Sequence, residues 1–144
     1  MLRVVFDSTV LVSACLTQKQ LSAQLLSQAR QGVFSLYLSE AIVIETQQTL
    51  LESEHIRKRY VYPDESVFAF TQGLRAAVRL VSDPPVISGV VRDPNDDMVI
   101  ACAVVAQATY LVARDKDLLS LKQYQGIPIV TPEAFMQLLR EQST

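Results

Sequence analysis

An α/β fold, a three-layer sandwich around a central parallel sheet of four to five strands, is predicted by three features of the sequence. Short β-branched runs alternate with longer amphipathic stretches along the whole chain. The runs are apolar at neighbouring positions, which suits strands covered on both faces. The spacers between them are of helix length, so successive strands lie parallel with helices on both sides of the sheet. A chain of 144 residues with 49% hydrophobic and 19% charged residues fits one such domain, spanning 1–144, since a chain of this size hides roughly 70% of its unfolded surface. Four glycines and six prolines exclude a collagen-like or low-complexity chain, and the apolar content excludes a disordered one.

The elements follow in order. Residues 2–6 form an apolar run that stops at Asp7, the mark of a buried strand. The whole amino-terminal stretch, 1–16, is apolar, but Asp7 interrupts it and no small-residue cleavage site follows, so it reads as strand and not as a signal peptide. Leu21, Leu25, Leu26 and Ala29 recur at helical spacing and predict a helix over 21–30. After Gly32, residues 33–38 read as a strand, and Ser39 caps a helix from about Glu40 to Leu51. Residues 55–60 are a short polar, basic stretch. Pro63-Asp64 opens another helix, with Val67, Phe68, Leu74, Ala77 and Val78 on its apolar stripe. Residues 78–81 turn into a strand before a break at 83–85, Asp-Pro-Pro. The densest polar cluster, Arg92-Asp93-Pro94-Asn95-Asp96-Asp97, opens an alanine-rich helix from about Asp97 to Gln107. Residues 109–113 are the next strand and 127–130 the last. Thr131-Pro132-Glu133 then starts a final helix with a cap, a proline at the first position and an acid in the first turn.

Composition narrows the function. A formal charge of −2 excludes nucleic-acid binding through global positive charge, so any basic site is local. Arg57-Lys58-Arg59 is the three-residue basic run, with Arg75, Arg79, Arg92, Arg114 and Lys116 scattered elsewhere. Its plainer reading is a solvated helix end. No apolar run approaches the ~18 residues of a membrane span. Cys15 and Cys102, far apart in apolar stretches, read as buried thiols of a reducing compartment, which points to the cytoplasm. The glycines are scattered, so no phosphate-cradling loop exists, and His55 stands alone in a charged stretch, so no Ser/His/Asp or Cys/His set is supplied.

The chemistry is therefore sought among acids that follow strands. Asp7 closes the first strand, and Asp115 and Asp117 follow the strand at 109–113. In an open parallel sheet, ligands bind at the carboxyl ends of strands. Clustered carboxylates stay ionised only if a cation neutralises them, and oxygen donors without paired Cys or His select Mg²⁺ or Mn²⁺. Such a centre activates water for phosphodiester cleavage. The alternatives are structural: Asp7 as a turn or cap residue, Asp93 and Asp96 as an N-cap and turn device, and Glu45, among Ala41, Ile42, Val43 and Ile44, as simply exposed.

Several motifs together resemble the PIN-domain nucleases. Asp7-Ser8-Thr9-Val10-Leu11-Val12-Ser13-Ala14 is similar to the opening motif of that family. Arg92-Asp93-Pro94-Asn95-Asp96-Asp97, followed by Val99-Ile100-Ala101-Cys102-Ala103, resembles its third acidic motif. Tyr110-Leu111-Val112-Ala113-Arg114-Asp115-Lys116-Asp117-Leu118-Leu119 resembles the fourth, and residues 127–135 follow the family's ending. The nearest branch is that of toxin–antitoxin toxins related to VapC. The resemblance implies that Asp7, Glu45, Asp97 and Asp115 form a catalytic Mg²⁺ or Mn²⁺ site, with Ser8, Thr9 and Asp117 auxiliary, Asp117 capping the short helix that follows. It leaves Asp93 and Asp96 as turn and cap residues. Thr9 stands where the family usually has Asn, and Ser8 where Thr is common. Both keep a hydroxyl, and the missing amide implies a lost contact and reduced activity. The implied function is metal-dependent cleavage of RNA to a 5′-phosphate and a 3′-hydroxyl, with a small antitoxin as partner and self-association into a homodimer or larger homo-oligomer. The competing readings are a PIN-like RNA- or protein-binding module with little nuclease activity, and a haloacid-dehalogenase-like phosphatase. The latter wants a second Asp where Thr9 stands. A response-regulator receiver would want a paired acidic dipeptide and a late-strand lysine that are not in place.

Overall fold

The computed structural model describes residues 1–82 and 84–142. Asp83, the first residue of the Asp-Pro-Pro break, lies outside the described residues. In chain order the elements are β1 (Arg3–Phe6), α1 (Ser8–Leu16), α2 (Leu21–Arg30), β2 (Ser35–Ser39), α3 (Glu40–Glu52), α4 (Glu54–Arg59), α5 (Asp64–Ala77) and β3 (Arg79–Val81). They continue with α6 (Pro94–Val105), β4 (Tyr110–Val112), α7 (Lys116–Leu121), β5 (Gln123–Tyr124), β6 (Ile127–Val130) and α8 (Pro132–Gln142).

The strands form one sheet in the order β3-β2-β1-β4-β6-β5. The pairs β1–β2, β1–β4, β2–β3 and β4–β6 are parallel, so the α/β layering read from the sequence is the observed architecture. A sixth strand exceeds the expected four to five. It is the two-residue β5, antiparallel to β6. Gln125 and Gly126 between them both have positive φ, 49° and 81°, the two-residue turn whose twist suits a hairpin. So short a strand carries no periodicity for a sequence to display.

The core is continuous across the sheet. Val4, Val5 and Phe6 of β1 are fully buried. Phe6, Phe34 and Phe135 meet with ring centroids 5.1–6.5 Å apart, which ties α8 to the centre of the sheet. Cys102 is buried and Cys15 half-buried, both as free thiols. Among the described residues, no helix is long and apolar enough to cross a membrane.

Two segments depart from expectation. Residues 8–16, read as a continuation of the first strand, are helical. Val10, Leu11, Val12 and Ala14 are all buried, so the helix is apolar nearly all round and shows no amphipathic period. Burial overrides the weak strand preference of its β-branched residues. Residues 55–59 of the basic stretch, for which the sequence marks no element beyond a helix end at Arg57–Arg59, lie in α4, started by the Ser53 side chain accepting from the Ile56 N–H.

Candidate active site

The site is assembled where the sheet order reverses. From β1 the chain runs to β2 and β3 on one side, then returns to β4 on the other. The carboxyl ends of β1 and β4 therefore flank the crevice in which ligands of open α/β sheets bind. The Asp7 N–H donates to the Val112 carbonyl at 3.0 Å, which locks the two strand ends together.

Each acid is fixed by its backbone. Asp7 caps α1: its Oδ1 accepts from the Val10 N–H at 3.0 Å and from the Thr9 hydroxyl at 2.7 Å. Its Oδ2 is buried with no hydrogen-bond partner. Asp115 caps α7, accepting from the N–H groups of Asp117 at 2.9 Å and Leu118 at 3.1 Å. Asp93 caps α6 by accepting from the Asn95 N–H at 2.9 Å, with Pro94 opening the helix, so this aspartate has the capping role expected of it.

The next two aspartates behave differently. Asp97 is 4% exposed, and both of its oxygens are used: Oδ1 accepts from the Val91 N–H at 3.0 Å and Oδ2 from the Gly89 N–H at 3.1 Å. It anchors the loop that leads into α6. Asp96, expected only as a turn or cap residue, instead carries a buried Oδ2 with no partner. Oxygens of Asp96, Asp115 and Asp117 lie within 4.8 Å of one another. One step along a helix rotates the side chain by about 100°, which sends these adjacent aspartates to different neighbours. The Asp97 side chain, expected among the metal ligands, is thus turned to the loop, and Asp96 faces the acids. Asp117, expected as an auxiliary carboxylate or as the cap of the following helix, belongs to this acid group, and the cap is Asp115.

The electrostatics describe one shared environment. Burial pushes the Asp96 carboxyl up to about 7, with the charges of Asp115 and Asp93, a hydrogen bond to Asp115 and the charge of Asp7 adding to it. Burial also raises Asp7, against the lowering effect of the Thr9 hydroxyl and the Val10 and Asp115 backbone. Glu45, on α3, is raised by burial, then by the charges of Asp93 and Asp7, while the Ser8 hydroxyl and Asn95 amide lower it. Asp7 accordingly borders the three-acid group and Glu45 lies beside Asp7 and Asp93, with Thr9 serving Asp7 and Ser8 serving Glu45.

These residues fit a divalent cation. When ionised, Asp7 Oδ2 and Asp96 Oδ2 are buried beside other acids without a donor, a costly arrangement relieved by a proton, as in the Asp96–Asp115 hydrogen bond, or by a cation. The donors are hard oxygens, the set that suits Mg²⁺ or Mn²⁺.

Of the basic run, Arg57 is structural, while Lys58 and Arg59 are exposed at the end of α4. Arg57 donates to the Leu50, Leu51 and Tyr62 carbonyls and to Asp64, and stacks on the Tyr62 ring at 4.7 Å. Arg75 pairs with Glu40 and Arg114 with Glu133. His55 is exposed. Two contacts escaped sequence reasoning: that of Asn95 with Glu45, and the pairing of Arg92, read as one of the scattered basic residues, with Asp117 at 3.3 Å. The polar density of 92–97 marked the residues but not these contacts.

Fold and site together define an α/β protein with a carboxylate centre at the switch point of its sheet. The PIN-domain family model matches residues 3–117, most of the chain, and the chain belongs to the PIN-domain family. PIN domains are generally nucleases that use divalent metals. No curated protein matches the chain. Among solved structures, the chain is similar to one in the crystal structure of VapBC2 from Rickettsia felis bound to a DNA fragment from their promoter. The match has a TM-score of 0.59 at 10% identity and covers 88% of this chain and 96% of that one. At that identity the likeness is one of fold.

Proposed function

We propose that the protein is a metal-dependent endoribonuclease and the toxin of a type II toxin–antitoxin pair. The observation that carries the reading is the pair of buried, unpartnered oxygens, Asp7 Oδ2 and Asp96 Oδ2, at the sheet switch point of a PIN domain. Asp7, Asp96 and Asp115 would hold Mg²⁺ or Mn²⁺, with Asp117 and Glu45 beside them. Asp96 takes the place of Asp97 in the set expected from the sequence, because both Asp97 oxygens are turned to the Gly89 and Val91 N–H groups while Asp96 lies among the other acids. When bound, the cation supplies charge screening at the scissile phosphate and makes water more acidic.

The protein's own residues supply the rest. Asp115 is held rigid by two backbone N–H donors and Asp7 by one, with Thr9 adding a hydroxyl. Thr9 therefore serves the site through Asp7, in place of the amide usual in the family. Glu45, whose carboxyl is raised by burial, is suited to take a proton from the attacking water, and Ser8 orients it. In-line attack leaves a 5′-phosphate and a 3′-hydroxyl. The likeness in fold to a VapBC2 chain supports an antitoxin partner. Self-association into a homodimer or larger homo-oligomer and a cytoplasmic location belong to the same reading.

The test is cleavage of a labelled, structured RNA by purified protein in Mg²⁺, Mn²⁺ and EDTA. Cutting that needs metal and is lost in Asp7→Asn and Asp115→Asn is the expected result. A folded protein that binds metal and cuts no RNA would make it a binding module.

A further inference from the structure

Among the described residues, Arg92 is the cation whose ion-pair partner belongs to the acid group. Its position follows from Asp97: the bonds from the Gly89 and Val91 N–H groups to that carboxylate bring the loop down beside α7. Arg92 Nη2 then lies 3.3 Å from Asp117 Oδ1 and 3.4 Å from Oδ2. A shallow cleft of about 340 Å³, lined by Gly89, Val90, Val91, Arg92, Asp117 and Leu121, opens at this point.

This pair is built unlike the others. Arg57 is clamped by three carbonyls besides its carboxylate. Arg114 meets Glu133 through two nitrogens, at 2.8 and 3.2 Å. Arg92 makes two long bonds from one nitrogen, and its side chain is 89% exposed. An exposed pair of this kind contributes little and is readily exchanged. A divalent cation brings twice the charge to the same carboxylate group, and a guanidinium released there has the planar fork that matches a phosphate.

We propose that Arg92 is a displaceable counterion: it pairs with Asp117 in the metal-free site, a divalent cation takes its place among the acids, and the released guanidinium binds a phosphate of the RNA strand in the adjoining cleft. The proposal rests on the metal-dependent ribonuclease reading above. It requires metal and RNA affinity to move in opposite directions when Arg92 is removed.

The test uses the full chain as wild type, Arg92→Ala and Arg92→Lys. Calorimetric titration at low salt should show Mn²⁺ binding Arg92→Ala about threefold tighter than wild type, since a competing positive charge has gone. Anisotropy with a labelled phosphorothioate oligouridylate in saturating Mn²⁺ should show the reverse. Affinity falls about threefold to tenfold, and the slope of log affinity against log salt becomes shallower by about 0.7, the share of one phosphate contact on a single strand. In EDTA the substitution should leave strand binding unchanged. Arg92→Lys, which keeps the charge, should follow wild type in the slope. A generally damaged variant would weaken both ligands, and that result, or Mn²⁺ affinity that does not rise, overturns the proposal. If wild type binds Mn²⁺ and cuts RNA while Arg92→Ala matches it in every assay, only this proposal fails. A wild type that binds no Mn²⁺ defeats the ribonuclease reading as well.

Discussion

The two ends of α1 border two very different hollows. At its start stands the acid group, a small crevice crowded with carboxylates. At its far end, roughly 12 Å along the helix axis, a cleft of about 790 Å³ opens among Ala14, Leu16, Leu26, Arg30, Tyr60 and Phe70. That is more than twice the cleft of about 340 Å³ beside Asp117, and volume alone would favour the larger as a ligand site. Yet its walls are mostly apolar and aromatic, and Arg30 is the one charged residue that lines it. The acid crevice instead has two buried oxygens without a donor. Buried carboxyls crowded together, and not empty space, mark where a cation fits, because ionising such groups side by side costs free energy.

Breaking the acid end should have the largest effect. Asp7→Asn or Asp115→Asn is expected to lower metal-dependent RNA cleavage by about 1000-fold, a loss of several kcal/mol of transition-state stabilisation. The check is the initial rate on a labelled RNA in Mn²⁺. Next comes the loop anchor. Asp97→Ala strands the Gly89 and Val91 N–H groups and should cost about 1–3 kcal/mol in urea unfolding. Asp97→Asn, which keeps one acceptor, should cost less.

The crowding of acids also sets a pH dependence of definite sign. Asp96 in the metal-free protein is raised from 3.8 to about 7, so the folded state keeps a proton that the unfolded chain releases. Stability from this source is complete below about pH 4 and is lost as the pH rises through about 7. Asp7 and Glu45, also raised, act in the same direction. Glu133, lowered by Arg114, acts in the opposite one, but it is exposed and weak. In EDTA, Tm should fall by ~3 °C or more across that window. Asp96→Asn should flatten the fall, and saturating Mn²⁺ should reverse it.

The cleft end should give the smallest effect of all. Gln18→Ala, at its rim, is expected to change the cleavage rate by less than about twofold, as is usual for an exposed position away from the chemistry.

The contrast between these regions also explains what the sequence revealed. Strands buried on both faces announce themselves as apolar runs, so β1, β2, β4 and β6 were legible, as were Asp7 and Asp115 at the strand ends. The helix α1 was hidden because burial nearly all round erases the period that betrays a helix. The choice between Asp96 and Asp97 was hidden for another reason. Both start the same helix, both are acids, and which one faces the crevice depends on where Asp93 and Pro94 begin the turn. Glu45 was undecided from periodicity, since its position has meaning only once α3 lies against Ser8 and Asp93. Arg92 was read only as one of the scattered basic residues, because its partner is 25 residues away.

The most direct measurement is a Mn²⁺ titration of wild type, Asp96→Asn and Asp97→Asn, each confirmed folded by its melting curve. A cation held by the orphaned oxygens predicts that Asp96→Asn loses most of its affinity while Asp97→Asn binds much as wild type does. Undiminished binding by Asp96→Asn, with loss in a folded Asp97→Asn, would contradict it.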